Sequence, residues 1–517
     1  AAYLNDTWED WLEEVFRKPM HLVPGWPVVQ WVSVPAGPGA YERAWALAQR
    51  SLAERKNVRD FEQIWDEPNE LCSLSPRWRS VSPPKTAPEH QRSELLAPAN
   101  WVKRLWHKTK TGAASGFAST NAIASSPYRN EVLRLWREDS DIPVLVELLK
   151  ESADKLGEDP VRERPLEWLK QILDSEEADW LRGRGSRWVF PESWHVEVLA
   201  REFSRKADDP DLISAVQEGW EASRELVKTM GRHGIEPPSP HLAVLVQDLD
   251  SMGRFLSGRK KAQNGRELPV SAPDHQEISQ LLSTVAKEQR EALKNVSGTV
   301  VYAGGDDLLA LVPAHSALEA ARVCHKTVHE RLPTASTGLL FFHHDSSLRR
   351  ALHRAQELLE KAKQHPGKHA LGVGMVRHSG AHADCVLPWA GGTDPVTALQ
   401  VFTSAGTRSR VRLSPGLLGD LMAERVHLDG GDEQERELYR NALPEKAAAK
   451  ELRRLVLRHS HVRAEEGAPP LSTKEEWELR TEFADGAATA LRYMAPGQRL
   501  VDESAVRVAL FLRQEAS

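Results

Sequence analysis

The chain has 517 residues, 40 % hydrophobic and 27 % charged, enough for three or four domains with ample cores. Its 68 Lys and Arg stand against 74 Asp and Glu, a net charge of −6 that excludes an all-over basic surface for nucleic acid but not local basic grooves. No apolar run reaches the ~18–20 residues of a membrane span and no signal peptide opens the chain, so no membrane partner is expected. Cys72, Cys324 and Cys385 stand far apart, which rules out a disulfide framework or a four-cysteine zinc site. A reducing, cytoplasmic location is the default.

In chain order, Ala1 is not an initiator methionine, and the first residues run straight into helical pattern (Trp8, Trp11, Leu12, Val15, Phe16). Residues upstream of Ala1 are therefore expected. Fifteen of the 17 tryptophans precede residue 221, which predicts two differently built regions. Breaks at Ser80–Pro88 and Gly112–Ser126 read as loops, and helical patterning runs over Asn130–Asp174 and His195–Gly231. Gly234–Pro240 holds three prolines and reads as a linker. Lys103/Arg104 with Lys108/Lys110, Arg408/Arg410/Arg412 and Arg453/Arg454/Arg458 are the candidate basic grooves, although such clusters are commonly solvated helix faces.

After the linker, strands and helices alternate. Leu242–Gln247 is a short apolar run, and Ile278, Leu281, Leu282, Val285 and Leu293 mark an amphipathic helix begun at Pro273–Asp274. Thr299–Ala303 and Leu308–Val312 flank Gly304-Gly305-Asp306-Asp307, a tight hairpin. A helix at Ser316–Glu330, a strand at Ser336–Phe342, a helix at Ser347–Lys363 and a strand at Leu371–Val376 follow. The order β-α-β-β-α-β-α-β extends a ferredoxin-like arrangement. From about Asp394 the pattern is helical again, closing with Glu503–Arg513.

The carboxylates are the informative feature. Asp248 and Asp250 end the first strand, and Asp306 and Asp307 sit in the hairpin turn. In a β-α-β-β unit the first strand lies beside the hairpin, so two pairs of acids converge on one sheet edge. Like charges so concentrated call for a cation, and an all-oxygen set suits Mg²⁺ or Mn²⁺. Two such ions about 4 Å apart can activate a 3′-hydroxyl and stabilise a leaving pyrophosphate. Gly304 and Gly305 let the backbone turn sharply and approach a triphosphate. Taken alone, Gly-Gly-Asp-Asp is also an ordinary hairpin turn, and Asp-Leu-Asp after a strand is commonly a helix cap. Both together, in order and on these elements, point to catalysis.

Leu242–Leu256 (LAVLVQDLDSMGRFL), Val300–Leu311 (VVYAGGDDLLAL) and Leu352–His369 (LHRAQELLEKAKQHPGKH) resemble the polymerase/cyclase palm of the large subunit of type III CRISPR effector complexes, and distantly the GGDEF nucleotide cyclases. Leu52–Phe61, Leu71–Leu74, Asn100–Arg104 and Phe117–Ala124 resemble the Cmr-type, type III-B, large subunit. The resemblance implies an α+β chain: a partial first palm-like domain at 1–110, a mainly helical domain at 111–236, the GGDD palm at 237–385 and a C-terminal helical domain at 386–517. It also implies partners, namely the other Cmr subunits, CRISPR RNA and target RNA. On target pairing, the palm would convert ATP into cyclic oligoadenylates. Asp248 and Asp307 would lead the metal set, with Asp250 and Asp306 beside them. Lys363 falls in the alanine-lysine motif whose lysine meets nucleotide phosphates in related cyclases, with Lys368 to assist; Lys363 can equally be a helix C-terminal lysine facing the dipole.

Departures from the family are also informative. Members often carry an HD phosphohydrolase domain, but His344-Asp345 follows a strand and reads as a palm loop, so no HD nuclease is expected in these residues. The zinc cysteines of the second domain are missing, with Cys72 alone, so packing must replace the metal. There is no GxxxxGK[ST], HExxH or CxxC motif. His459 and His461 read as surface histidines, and Cys324–His325 as neighbours facing apart. Two rival readings stay open: a palm that joins ATP to another acceptor such as S-adenosylmethionine or makes a cyclic dinucleotide, and a scaffold subunit whose palm binds nucleotide but turns over weakly.

Overall fold

A computed structural model describes residues 2–18, 30–58, 71–76, 78–87, 91–106, 109, 117–157, 166–172, 175–377, 379–403, 410–425, 428, 445–463, 471–495 and 500–515. Lys108, Lys110, Arg408, the stretch 112–116 and the end of the 52–61 match lie outside them. The chain divides into two compact units, one of Ala1–Ala118, Glu151–Pro165 and Trp194–Gly219, the other of Ser119–Lys150, Leu166–Ser193 and Trp220–Ser517. They do not follow the expected boundaries at 110, 236 and 385.

In the first unit, Trp8, Leu12, Val15 and Phe16 of the helix Ala2–Phe16 pack with Leu96, Trp101 and Leu105 around the helix Pro98–Leu105. The apolar 3–4 spacing of the opening residues is what buries that face. Cys72 lies in this core, its Sγ accepting from Asn100 Nδ2 at 3.0 Å. Among the described residues of this unit, β pairing is confined to the isolated bridges Leu71–Arg79 and Val81–Leu96.

The second unit is built on a mixed six-stranded sheet: β1 (His241–Leu249), β2 (Thr299–Gly304), β3 (Asp307–Pro313), β4 (Ala335–His343), β5 (Ala370–Val376) and β6 (His382–Pro388), in the order β2-β3-β1-β4-β5-β6. β1 runs antiparallel to β3 and β4, β2 to β3 and β6 to β5; only β4–β5 is parallel. β1 is buried along almost its whole length, which is why it reads as a continuous apolar run. Its core continues into the C-terminal helices, where Phe483, Leu491, Val506 and Phe511 join Leu245, Ala310 and Phe341 in one cluster.

Each strand and long helix expected between residues 242 and 376 is present within a few residues, except that the helix at Ser316–Glu330 runs only over Ala317–Lys326. Three strands were not expected. β6 shows a thin alternation, with Ala383, Cys385 and Leu387 inward. Val411–Leu413 and Ser460–Val462 pair as a ribbon inside the region that reads as helical, each too short to show a period.

The helix Leu348–Gln364 lies on β4 because residue 338 is glycine: a Cβ there would stand 2.6 Å from the Ala355 carbonyl oxygen and 2.8 Å from the Leu359 nitrogen. That close seat fixes where the last turn of the helix, with Lys363, meets the end of β1.

Candidate active site

The hairpin between β2 and β3 has two central residues, Gly305 and Asp306, with Gly304 paired to Asp307. Gly305 has φ +65°, the left-handed region that a leading glycine supplies in tight hairpin turns. The Leu249 amide donates to the Asp306 carbonyl at 3.2 Å, which ties the turn to the end of β1.

Asp248 and Asp307 are directly opposed in the β1–β3 register, which places their Cα atoms about 4.5–5.5 Å apart. Cross-strand neighbours on one face, their carboxyls act on each other electrostatically. Lys363 Nζ stands 2.9 Å from Asp248 Oδ2, both side chains being about a fifth exposed, and 3.5 Å from Glu360. Burial lifts the Asp248 carboxyl above the ordinary Asp range; the Lys363 hydrogen bond offsets part of this, and Asp307 pushes it up again. Burial works against the Lys363 ammonium, but the hydrogen bond and charge of Asp248 outweigh it and leave the lysine above its usual value. Asp306 and Asp307 are exposed, so the acidic edge opens to solvent.

Asp250 is placed differently. Fully buried, it accepts from Thr334 Oγ1 and Ser336 Oγ at 2.8 Å each and from the His369 amide at 3.1 Å. Its own carbonyl accepts from Lys260 Nζ at 3.1 Å. The structure thus gathers Asp248, Asp307 and Lys363 beside the Gly304–Asp306 turn, while the Asp250 carboxylate faces protein donors.

Lys368 and His369 have φ of +59° and +51°, an uncommon pair of left-handed non-glycine residues, tied to Asp250 through the His369 amide. Burial lowers the Lys260 ammonium; Asp250 offsets this, while Lys368 and Arg254 add to it. Lys260 therefore stands within electrostatic reach of both Lys368 and Arg254 past the end of β1. Sequence reasoning found Lys368 but missed Lys260 and Arg254, although the run Arg259-Lys260-Lys261 held the signal. It also missed the buried chain beneath the site, in which Gln289 Nε2 donates to Gln247 Oε1 at 2.8 Å and Gln247 Nε2 to Thr337 Oγ1 at 3.1 Å.

Of the other candidates, His325 reaches the Lys368–His369 turn, its Nε2 3.4 Å from that of His369. His459 Nε2 is 2.8 Å from Asp420. Cys324 is fully buried, and His325 stacks on Trp389 with ring centroids 4.0 Å apart. Several arginines of the expected basic grooves are paired locally: Arg104 with Glu94, Arg412 with Glu236, Arg453 with Asp485, Arg454 with Glu451 and Arg458 with Asp420.

A family model described as Cas10/Cmr2, second palm domain, matches residues 241–372, from the first residue of β1 into β5. That stretch holds both acidic pairs, the hairpin and Lys363. The match takes in about a quarter of the chain, so it is this palm segment that is similar to Cas10/Cmr2. The strand pairing of Asp248 with Asp307 lies inside the matched segment. The CRISPR system Cmr subunit Cmr2 of Pyrococcus furiosus is 26 % identical over 354 residues, covering 63 % of this chain and 36 % of that protein. The chain therefore spans about a third of the length of this curated relative. Two solved structures are similar over 92 % of the chain: the type III-B Cmr-beta in its apo state (13 % identity, TM-score 0.45, 60 % of that chain) and the type III-B Cmr-beta bound to cognate target RNA (15 %, 0.43, 63 %). Among the described residues, no helix is long and apolar enough to cross a membrane.

Proposed function

We propose that this chain is a catalytic part of the large subunit of a type III-B CRISPR effector complex, with a ferredoxin-like GGDD palm that converts ATP into cyclic oligoadenylates when CRISPR RNA pairs with target RNA. The observation that carries the reading is the opposed Asp248–Asp307 pair at the solvent-open end of β1, with Lys363 on Asp248. The palm match and the likeness to a Cmr2 subunit support the assembly partners: other Cmr subunits, CRISPR RNA and target RNA. The remaining residues would form a partial first palm-like domain and helical domains around it.

The donor set fits hard divalent cations. Asp248 opposed to Asp307, with Asp306 at the adjoining turn, gathers three carboxyls against the single ammonium of Lys363, an excess of negative charge that Mg²⁺ or Mn²⁺ would neutralise. Asp248 and Asp307 would hold the ions, with Asp306 beside them. When bound, such ions supply Lewis-acid stabilisation of phosphoryl oxygens and lower the pKa of a hydroxyl. Lys363 would leave Asp248 for a nucleotide phosphate, keeping the edge close to neutral in both states. Lys368, Lys260 and Arg254 would meet the rest of the triphosphate, with Gly304 and Gly305 allowing backbone approach. Asp250 would hold the Lys368–His369 turn in place rather than bind the ions.

The test is to incubate the reconstituted complex with ATP, Mg²⁺ or Mn²⁺ and target RNA, then identify products by mass spectrometry. Cyclic oligoadenylates are expected. Adenylylated S-adenosylmethionine or a cyclic dinucleotide would replace the acceptor assignment, and no turnover would leave a scaffold.

A further inference from the structure

At the other end of β1 from Asp248, His241 is directly opposed by His343 at the end of β4. Some seven residues of strand, at about 3.3 Å each, separate this end of the sheet from the acidic edge. The chain leaves β4 through His344 and Asp345. The His344 side chain is completely buried, yet neither ring nitrogen has a hydrogen-bond partner. Its ring is sandwiched between Phe190 and His343, with centroids 4.6 Å from each. The backbone around it is fixed, its amide donating to the Pro240 carbonyl at 2.9 Å and its carbonyl accepting from Thr120 Oγ1 at 2.9 Å. A fully buried imidazole whose Nε2 has no partner and whose Nδ1 meets only the Asp345 carboxylate needs an explanation, and a bound ion supplies one.

The neighbours supply the rest of a ligand set. One donor atom each from His343, His344 and Asp345 lie within 4.8 Å of one another. His344 Nδ1 is 2.9 Å from Asp345 Oδ1 but off the line of a hydrogen bond, as when two ligands are aimed at a third atom. His343 Nδ1 accepts the Asp345 amide at 3.2 Å, a long contact that a metal bond at this nitrogen would replace. Behind His343, the His241 ring packs edge-on at 5.6 Å, with its Nε2 3.3 Å from Glu515, which Arg377 holds at 2.8 Å.

We propose that His343, His344 and Asp345 form a second cation site on the palm, selective for a divalent transition metal of the zinc class. Two imidazoles and a carboxylate favour such ions over Mg²⁺, the reverse of the all-oxygen edge at Asp248. The bound ion would pin the β4 exit to the strands and to the segments carrying Thr120 and Phe190. This site is independent of the proposed catalysis.

The test uses the full chain stripped with chelator, dialysed against micromolar Zn²⁺ in excess Mg²⁺, and assayed for retained zinc per chain. About one equivalent is expected in the wild type and in Asp306→Asn/Asp307→Asn, and a loss of most of it in His343→Ala, His344→Phe and Asp345→Asn. Co²⁺ substitution should give visible absorption that the same three variants lose. Circular dichroism and melting in EDTA identify any variant that misfolds; Asp345→Asn, at an exposed position, is then decisive. Absence of zinc uptake by the wild type overturns the proposal. So does full retention by Asp345→Asn, or a loss that follows the palm aspartates instead.

Discussion

At Asp248 three influences meet: burial and Asp307 favour the protonated acid, and Lys363 favours the carboxylate. The folded protein therefore holds this proton to higher pH than the unfolded chain does, so the group's contribution to stability falls as pH rises through its raised pKa. Asp307→Asn removes one upward push and Lys363→Met removes the downward one. Followed by carbon-13 NMR, the Asp248 titration should move down in the first variant and up in the second; no movement in either would mean that the three groups do not interact. Asp248 and the Gly-Gly-Asp-Asp turn were legible in the sequence because strand order alone brings them together. The placing of Asp250 was not. Two-residue spacing on a strand puts both acids on one face, and Asp250 does bond Ser336, the residue opposed to Asp248, but its buried carboxylate is taken up by Thr334, Ser336 and the His369 amide. Thr334, Ser336 and Lys260, which receive it, come together only in the folded sheet.

At the scale of elements, two contacts set the palm's precision. Gly338 lets the helix Leu348–Gln364 rest directly on β4, so Gly338→Ala should cost about 1–3 kcal/mol in chemical denaturation and slow nucleotide turnover by displacing Lys363. Stability unchanged within about 0.5 kcal/mol would show that the helix can shift freely. The second contact is the His325 ring stacked on Trp389. Burial, then the charge of His369, pushes His325 down to about 4, so it stays neutral in the fold while the unfolded chain titrates near 6.5. Its contribution is complete above pH 6.5 and is lost as pH falls towards 4. His325→Phe keeps the stack and should flatten the pH dependence of Tm across that window; an unaltered slope would contradict this. The long periodic elements of the palm were readable because each shows its own apolar spacing. The three-residue ribbon strands at 411–413 and 460–462 carry no period and form only by pairing with each other.

For the whole molecule, a net charge of −6 and the local pairing of Arg104, Arg412, Arg453, Arg454 and Arg458 predict that, in the proposed complex, RNA would be held mainly by companion subunits. The isolated chain should bind RNA weakly and lose that binding by moderate salt; tight, salt-resistant binding would contradict it. The central claim, that the acidic edge performs nucleotidyl transfer, is tested by Asp306→Ala/Asp307→Ala in the reconstituted complex. Both residues are exposed at a turn, so the flanking apolar strands keep their packing. Nucleotide product formation and target-RNA affinity should be measured on the same preparation. Product should fall at least about a thousandfold, roughly 4 kcal/mol of transition-state stabilisation, with RNA affinity near the wild-type value. Product formation that persists in the double variant would place the active site elsewhere, and assembly lost together with activity would make these aspartates structural.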